Sequence, residues 1–199
     1  MKKKIVNTVL VLLGGIILGI FSKWLDSLEI NSNIWWQSII ERLDLNNFFS
    51  NMAIWIFLVI SISVFSKTSL RAVINVFCFL IGMNISYHLY TIYVCGFNPK
   101  NYMITWYTIT LLSPIFSYVC WYAKSNKKIS SLITGLVLIP VCESCFNIGM
   151  WYFDTNGILY TLTFIGTCIV LYKKPIDLTV GLVIGLIISC IITIPYISG

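Results

Sequence analysis

The stretch KTSLRAVINVFCFLIGMNISYHLYTIYVCGFNP, residues 67–99, decides how the chain is read. Two cations, Lys67 and Arg71, stand at its head, and no Lys, Arg, Asp or Glu follows between Ala72 and Val94. Gly96-Phe97-Asn98-Pro99 then supplies a turn. A helix of about 20 apolar residues crosses the hydrocarbon of a bilayer, and it satisfies its own backbone hydrogen bonds there. Residues 72–94 therefore read as a membrane span with its cationic end on one side.

Working outward, the same unit repeats. Basic clusters fall at Lys2-Lys3-Lys4, at Lys67 and Arg71, at Lys124, Lys127 and Lys128, and at Lys173-Lys174, with two apolar stretches between successive clusters. A chain that crosses repeatedly and keeps its cations on the cytoplasmic side has this spacing. The expected fold is all-α, a polytopic transmembrane helix bundle forming a single integral membrane domain over 1–199. About seven spans are expected, at 5–21, 48–65, 72–94, 102–123, 129–151, 158–172 and 178–197. With the N-terminus in and the C-terminus out, ten of the thirteen cations lie inside, and Lys23, Arg42 and Lys100 lie outside. Residues 158–172 make a short span, but losing it would break the alternation.

Composition points the same way. Of 199 residues, 58% are hydrophobic and 10% are charged, with a mean hydropathy of +0.90. Soluble domains carry about 25% charged residues. The net charge of +6 sits in short clusters at the ends of apolar segments, so it is a topology signal and an attraction to anionic head groups rather than a nucleic-acid footprint. Three Ala against thirteen Asn suggest an AT-rich genome, hence a bacterial plasma membrane.

The basic start followed by an apolar run is similar to a signal peptide, but Phe21-Ser22-Lys23-Trp24 offers no small-residue cleavage site, and a retained helix is expected. Residues 34–45 read as a short interfacial amphipathic helix in the first outer loop. Trp36, Ile39, Ile40 and Leu43 share one face, and Gln37, Ser38, Glu41 and Asp44 the other. Gly15 and Gly19, and Gly181, Gly185 and Ser189, recur every four residues, a spacing that lets helices pack closely.

Glu143 is the sharpest single residue. It lies within the span 129–151, where a lone carboxylate costs about 3 kcal/mol on insertion scales unless it is protonated or paired. Pro140 frees a backbone carbonyl nearby. His88, the one histidine, falls at a similar depth in span 72–94, within about 3 Å at a rise of 1.5 Å per residue. Asn84 is four residues from His88, and Asn147 is four from Glu143. The expected binding cluster is therefore Asn84, His88, Glu143 and Asn147, walled by Trp106 and Tyr107. A plainer alternative is that these residues only join helices.

Seven cysteines fall in or beside apolar stretches, where a free thiol behaves as a small hydrophobe. Cys142 and Cys145 form a CxxC, the arrangement of quinone-linked thiol oxidoreductases, but no second outer pair accompanies it. His88 and Cys95 have a spacing similar to that of membrane peptidases that process bacterial signalling peptides, though with Cys95 outside. No cofactor and no metal site is expected.

Gly14-Gly15-Ile16-Ile17-Leu18-Gly19, Tyr87-His88-Leu89-Tyr90, Ser113-Pro114-Ile115-Phe116 and Glu143 together resemble an uncharacterised family of bacterial multi-pass membrane proteins. That resemblance implies a polytopic membrane protein and no particular activity. The expected function is small-molecule binding or transport at a polar cluster around Glu143. A membrane-embedded enzyme and an accessory subunit of a membrane complex are the alternatives. Lipid, a small-molecule ligand and a membrane-protein partner are the expected partners.

Overall fold

The computed structural model describes residues 2–31, 33–124, 130–148 and 152–197, with side chains between residues 6 and 193. The side chains of Lys2, Lys3 and Lys4, the whole of Lys127 and Lys128, and both ends of the expected span 129–151 lie outside the described residues.

The helices are α1 (Lys2–Asp26), α2 (Trp35–Arg42), α3 (Leu45–Ser50), α4 (Met52–Phe65), α5 (Ser69–Tyr93), α6 (Lys100–Trp121), α7 (Ser130–Cys145), α8 (Ile158–Leu171) and α9 (Pro175–Ile197). A 3-10 turn, Tyr122–Lys124, follows α6, and a hairpin of β1 (Phe146–Ile148) and β2 (Phe153–Thr155) joins α7 to α8. Four segments, Val6–Asp26, Ser69–Tyr93, Lys100–Lys124 and Pro175–Thr193, are long and apolar enough to cross a membrane. α4, α7 and α8 are also apolar but have 14, 16 and 14 residues. At 1.5 Å per residue they reach about 21–24 Å, short of the ~30 Å hydrocarbon core. The chain is a helical transmembrane protein, with one short hairpin among the described residues.

It folds as two compact units, residues 1–50 with 66–118, and residues 51–65 with 119–199. In the first, α1 packs along α5. Thr8 meets Asn75 (2.8 Å between side-chain oxygens), Gly15 meets Phe79, and Gly19 meets Met83 and Ser86. Contact positions rise together along both helices, so the pair is parallel. A Cβ on Gly15 would sit 2.2 Å from the Phe79 carbonyl oxygen, and one on Gly19 would sit 2.3 Å from that of Met83. Only glycine permits this approach. It also brings the Ser86 hydroxyl within 3.0 Å of the Ile16 carbonyl, and the hydroxyl shares its one proton between that oxygen and the Met83 carbonyl at the same distance. Val6, Leu10, Leu13, Ile17 and Ile20 remain exposed on α1, as suits side chains solvated by lipid. At the start of α5, the Thr68 hydroxyl caps the helix by accepting from the Arg71 amide at 3.2 Å.

Around α2 the face differs from the sequence expectation. Trp35, Ile39 and Leu43 are exposed, while Ile40 and Gln37 are buried. Gln37 turns inward because its side-chain oxygen accepts from the Asn31 amide at 2.6 Å, which closes the preceding loop. The exposed apolar edge is therefore Trp35–Ile39–Leu43, at four-residue spacing. The expected span 48–65 is broken into α3 and α4 at Ser50 and Asn51. The Asn51 side chain accepts from the Ala53 amide at 3.2 Å, starting α4 afresh.

In the second unit the close pair is α7 with α9, again parallel. Ser131 donates to Asp177 (2.7 Å) at one end, Thr134 and Gly135 meet Gly181, Leu138 meets Gly185, and Glu143 meets Ser189 at the other end. A Cβ on Gly181 would sit 2.7 Å from Thr134 Cγ2, and one on Gly185 would sit 3.0 Å from Leu138 Cβ. Because α7 and α9 run in one direction, α8 carries the chain back between them. Gly166 of α8 lies against the Phe57 ring of α4.

Candidate functional site

The six residues singled out in the sequence divide between the units. Asn84, His88, Trp106 and Tyr107 belong to the first, and Glu143 and Asn147 to the second.

In the first unit, Asn84 is buried at 2% exposure, where α5 faces α6. Its amide nitrogen donates to the Thr110 hydroxyl (2.6 Å) and to the Trp106 carbonyl (3.2 Å). One turn further along α5, both ring nitrogens of His88 are engaged. Nδ1 lies 3.1 Å from the Tyr107 hydroxyl, and Nε2 lies 3.0 Å from the Asn98 side-chain oxygen. Both nitrogens thus meet partners other than the Cys95 thiol. Trp106 is buried against Tyr102, with ring centroids 6.2 Å apart. Trp106 and Tyr107 thus complete the polar contacts of α5 rather than wall an open cluster.

The same end of this unit holds a residue that the sequence reading counted only as an exception to charge asymmetry. Lys23 is 5% exposed and pairs with Asp26, one turn on. Its ammonium lies over the faces of Tyr87 (5.4 Å) and Phe97 (5.2 Å), and the Tyr87 hydroxyl reaches the same Asp26 oxygen at 3.5 Å. Tyr87 stacks at a tilt on Tyr102, 5.8 Å between centroids. A carboxylate and two ring faces stabilise a cation removed from water. The i, i+3 spacing of Lys23 and Asp26 signalled the ion pair but not the burial.

In the second unit, Glu143 stands in the last turn of α7, because the helix stops at Cys145 rather than near residue 151. The Asn156 backbone amide donates to the Cys145 carbonyl, and its side-chain amide to the Ser144 carbonyl, both at 3.1 Å, satisfying carbonyls that the helix end leaves over. The hairpin then begins, with Phe146 packed on Phe153 and Phe164 at 4.9 and 4.8 Å. Asn147 consequently sits on β1, exposed and opposite Asp154, not one helical turn above Glu143. Beta pairing of Phe146–Ile148 overrides the helical spacing on which its expected place beside Glu143 depended.

Glu143 is exposed along one side, and α9 supplies its partners. Ser189, fully buried, donates its hydroxyl to Oε1. The Thr193 hydroxyl lies 3.2 Å from Oε1 and 3.4 Å from Oε2, and also 2.9 Å from the Ser189 carbonyl oxygen. A hydroxyl has one proton to give, so Thr193 serves either the carboxylate or that carbonyl. A carboxylate offers about four acceptor positions, and two hydroxyls leave it undersupplied. No Lys, Arg or His among the described residues pairs with Glu143.

Cys142 and Cys145 are free and fully buried on α7, while Cys168 and Cys190 are half-buried. No group of His, Cys, Asp or Glu able to hold a metal ion is found among the described residues. No family model matches the chain, and no curated protein or solved structure matches it significantly, so the family resemblance rests on the residues quoted for it alone.

Proposed function

We infer that the chain is a seven-crossing protein of a bacterial plasma membrane, N-terminus in and C-terminus out, that binds or transports a small molecule at Glu143. The parallel pairing of α1 with α5 and of α7 with α9 supports the alternation read from the cations. Helices one, three, five and seven of a seven-crossing chain share a direction, and the short α8 is then a return crossing. The lengths of α4, α7 and α8 support access to the site. At about 21–24 Å they draw the bilayer thin around them, which shortens the path from water to Glu143.

The observation that carries this reading is Glu143 itself, a partly exposed carboxylate in an apolar helix, held by two hydroxyls and unpaired with any cation among the described residues. Ionisable groups at such depth mark substrate and ion pathways. The test is native mass spectrometry of the full chain released from membranes. A small molecule bound to the wild type and absent from Glu143→Gln is the expected result. Identical ligand loading of the two proteins would refute it.

A further inference from the structure

The groups gathered at the end of the α7/α9 pair share one chemical character. Glu143 contributes two carboxylate oxygens, Thr193 a hydroxyl oxygen beside them, and Ser189 a buried hydroxyl bonded to Oε1. Pro140 has no N–H, so the Leu136 carbonyl loses its intrahelical donor. Leu136, Pro140 and Glu143 follow one another at helical spacing and lie on one face of α7. That face therefore carries a carboxylate and a released carbonyl, bordered by two hydroxyls of α9. All of these can accept, and no ammonium, guanidinium or imidazole of the described residues supplies the opposite charge.

Resting on the reading of Glu143 as a binding site, we propose that its ligand is a monovalent cation, either an alkali ion or the ammonium group of a small organic amine. One carboxylate balances one positive charge. Divalent ions take six or more oxygens, usually from several carboxylates or retained waters, and such a set is not present among the described residues. An anion would meet the like charge of the carboxylate, with no cation of the described residues to offset it. The alkali ion and the ammonium share the same recognition, with oxygen lone pairs arranged around a small positive centre. They differ in that the ammonium donates along directed N–H bonds.

The two sources separate in a thermal-unfolding series on the full chain in lipid nanodiscs. Choline chloride holds the ionic strength, since its quaternary nitrogen has no N–H and is too bulky for a two-hydroxyl seat. Sodium chloride or ethylammonium chloride then replaces it stepwise. The expected result is a rise in unfolding midpoint of about 4 °C or more with one of the two cations. Glu143→Gln, which keeps the shape and one acceptor oxygen, should need about tenfold more cation for the same rise. Ser189→Ala keeps the charge and should weaken binding only a few-fold, which preserves the comparison if Glu143→Gln folds poorly. No rise with either cation, or the same rise in wild type and Glu143→Gln, overturns the proposal. Propionamide and choline propionate serve as neutral and anionic probes. Stabilisation by either that depends on Glu143 would overturn the cation assignment and leave the site standing. Loss of the site itself would show instead as identical ligand loading in the native mass spectra.

Discussion

The α1/α5 pair of the first unit and the α7/α9 pair of the second share a construction. In each, parallel helices meet along glycines four residues apart, and polar side chains collect at one end. They differ in how those polar side chains are satisfied. In the first unit Lys23 has Asp26 and two ring faces, His88 has a partner on each nitrogen, and Asn84 spends its amide nitrogen on α6. In the second, Glu143 has two hydroxyls, one of them shared with a backbone carbonyl. Closed networks of matched donors and acceptors hold helices together, whereas a carboxylate short of donors can take something else. On the proposed reading the first cluster is structural and the second binds, although both look alike as scattered polar residues in apolar helices.

The largest expected effect tests the shared construction. Gly15→Ala drives a methyl to 2.2 Å from a backbone oxygen, which cannot move without displacing α5. Adjacent Gly14 has nothing within 4 Å of a built Cβ. Gly15→Ala should cost about 3 kcal/mol, and Gly14→Ala should be neutral or slightly stabilising through helix propensity, as read by reversible unfolding in mixed micelles. Equal effects would mean that α1 does not pack on α5 through this face. Gly181→Ala meets a Thr134 methyl first, with the Gly135 amide nitrogen further off at 3.3 Å, and should cost less, about 1–2 kcal/mol.

A second pair of variants tests whether the first cluster is closed. Asp26→Asn leaves a buried ammonium without its counter-charge, whereas Lys23→Met removes the charge and keeps an apolar chain against Tyr87 and Phe97. Asp26→Asn should be the more destabilising in the same unfolding measurement, by about 2 kcal/mol. The reverse order would show that Lys23 is held by its rings and not by Asp26. Smaller again, Asn84→Ala should cost about 1 kcal/mol, the usual worth of an interhelical hydrogen bond in a membrane protein. A loss several times larger would mean that Asn84 organises more than its contacts with Thr110 and Trp106.

Helical class and membrane character were legible because both follow from apolar run length and charge spacing, and lipid allows few other solutions. The glycine rows were legible too, since Gly15 and Gly19, like Gly181 and Gly185, carry their spacing on the surface of the text. Ser189 continued its row, but its partner Glu143 was not readable from α9 alone. The end of α7 was hidden because three-residue strands have almost no period, and Asn147 looked helical only by counting on from Glu143. Lys23 was hidden for a different reason. Its burial depends on Tyr87 and Phe97, more than sixty residues away, and no local pattern announces such a contact. Gln37, likewise, read as polar and outward until a loop amide claimed it.

The most direct measurement sets the two clusters against each other. Native mass spectra of the full chain would be recorded for wild type, Glu143→Gln and His88→Gln under one extraction protocol. The expected result is a ligand retained by wild type and His88→Gln and missing from Glu143→Gln. Ligand retained by Glu143→Gln, or lost equally from His88→Gln, would contradict the division between a closed first cluster and an open second one.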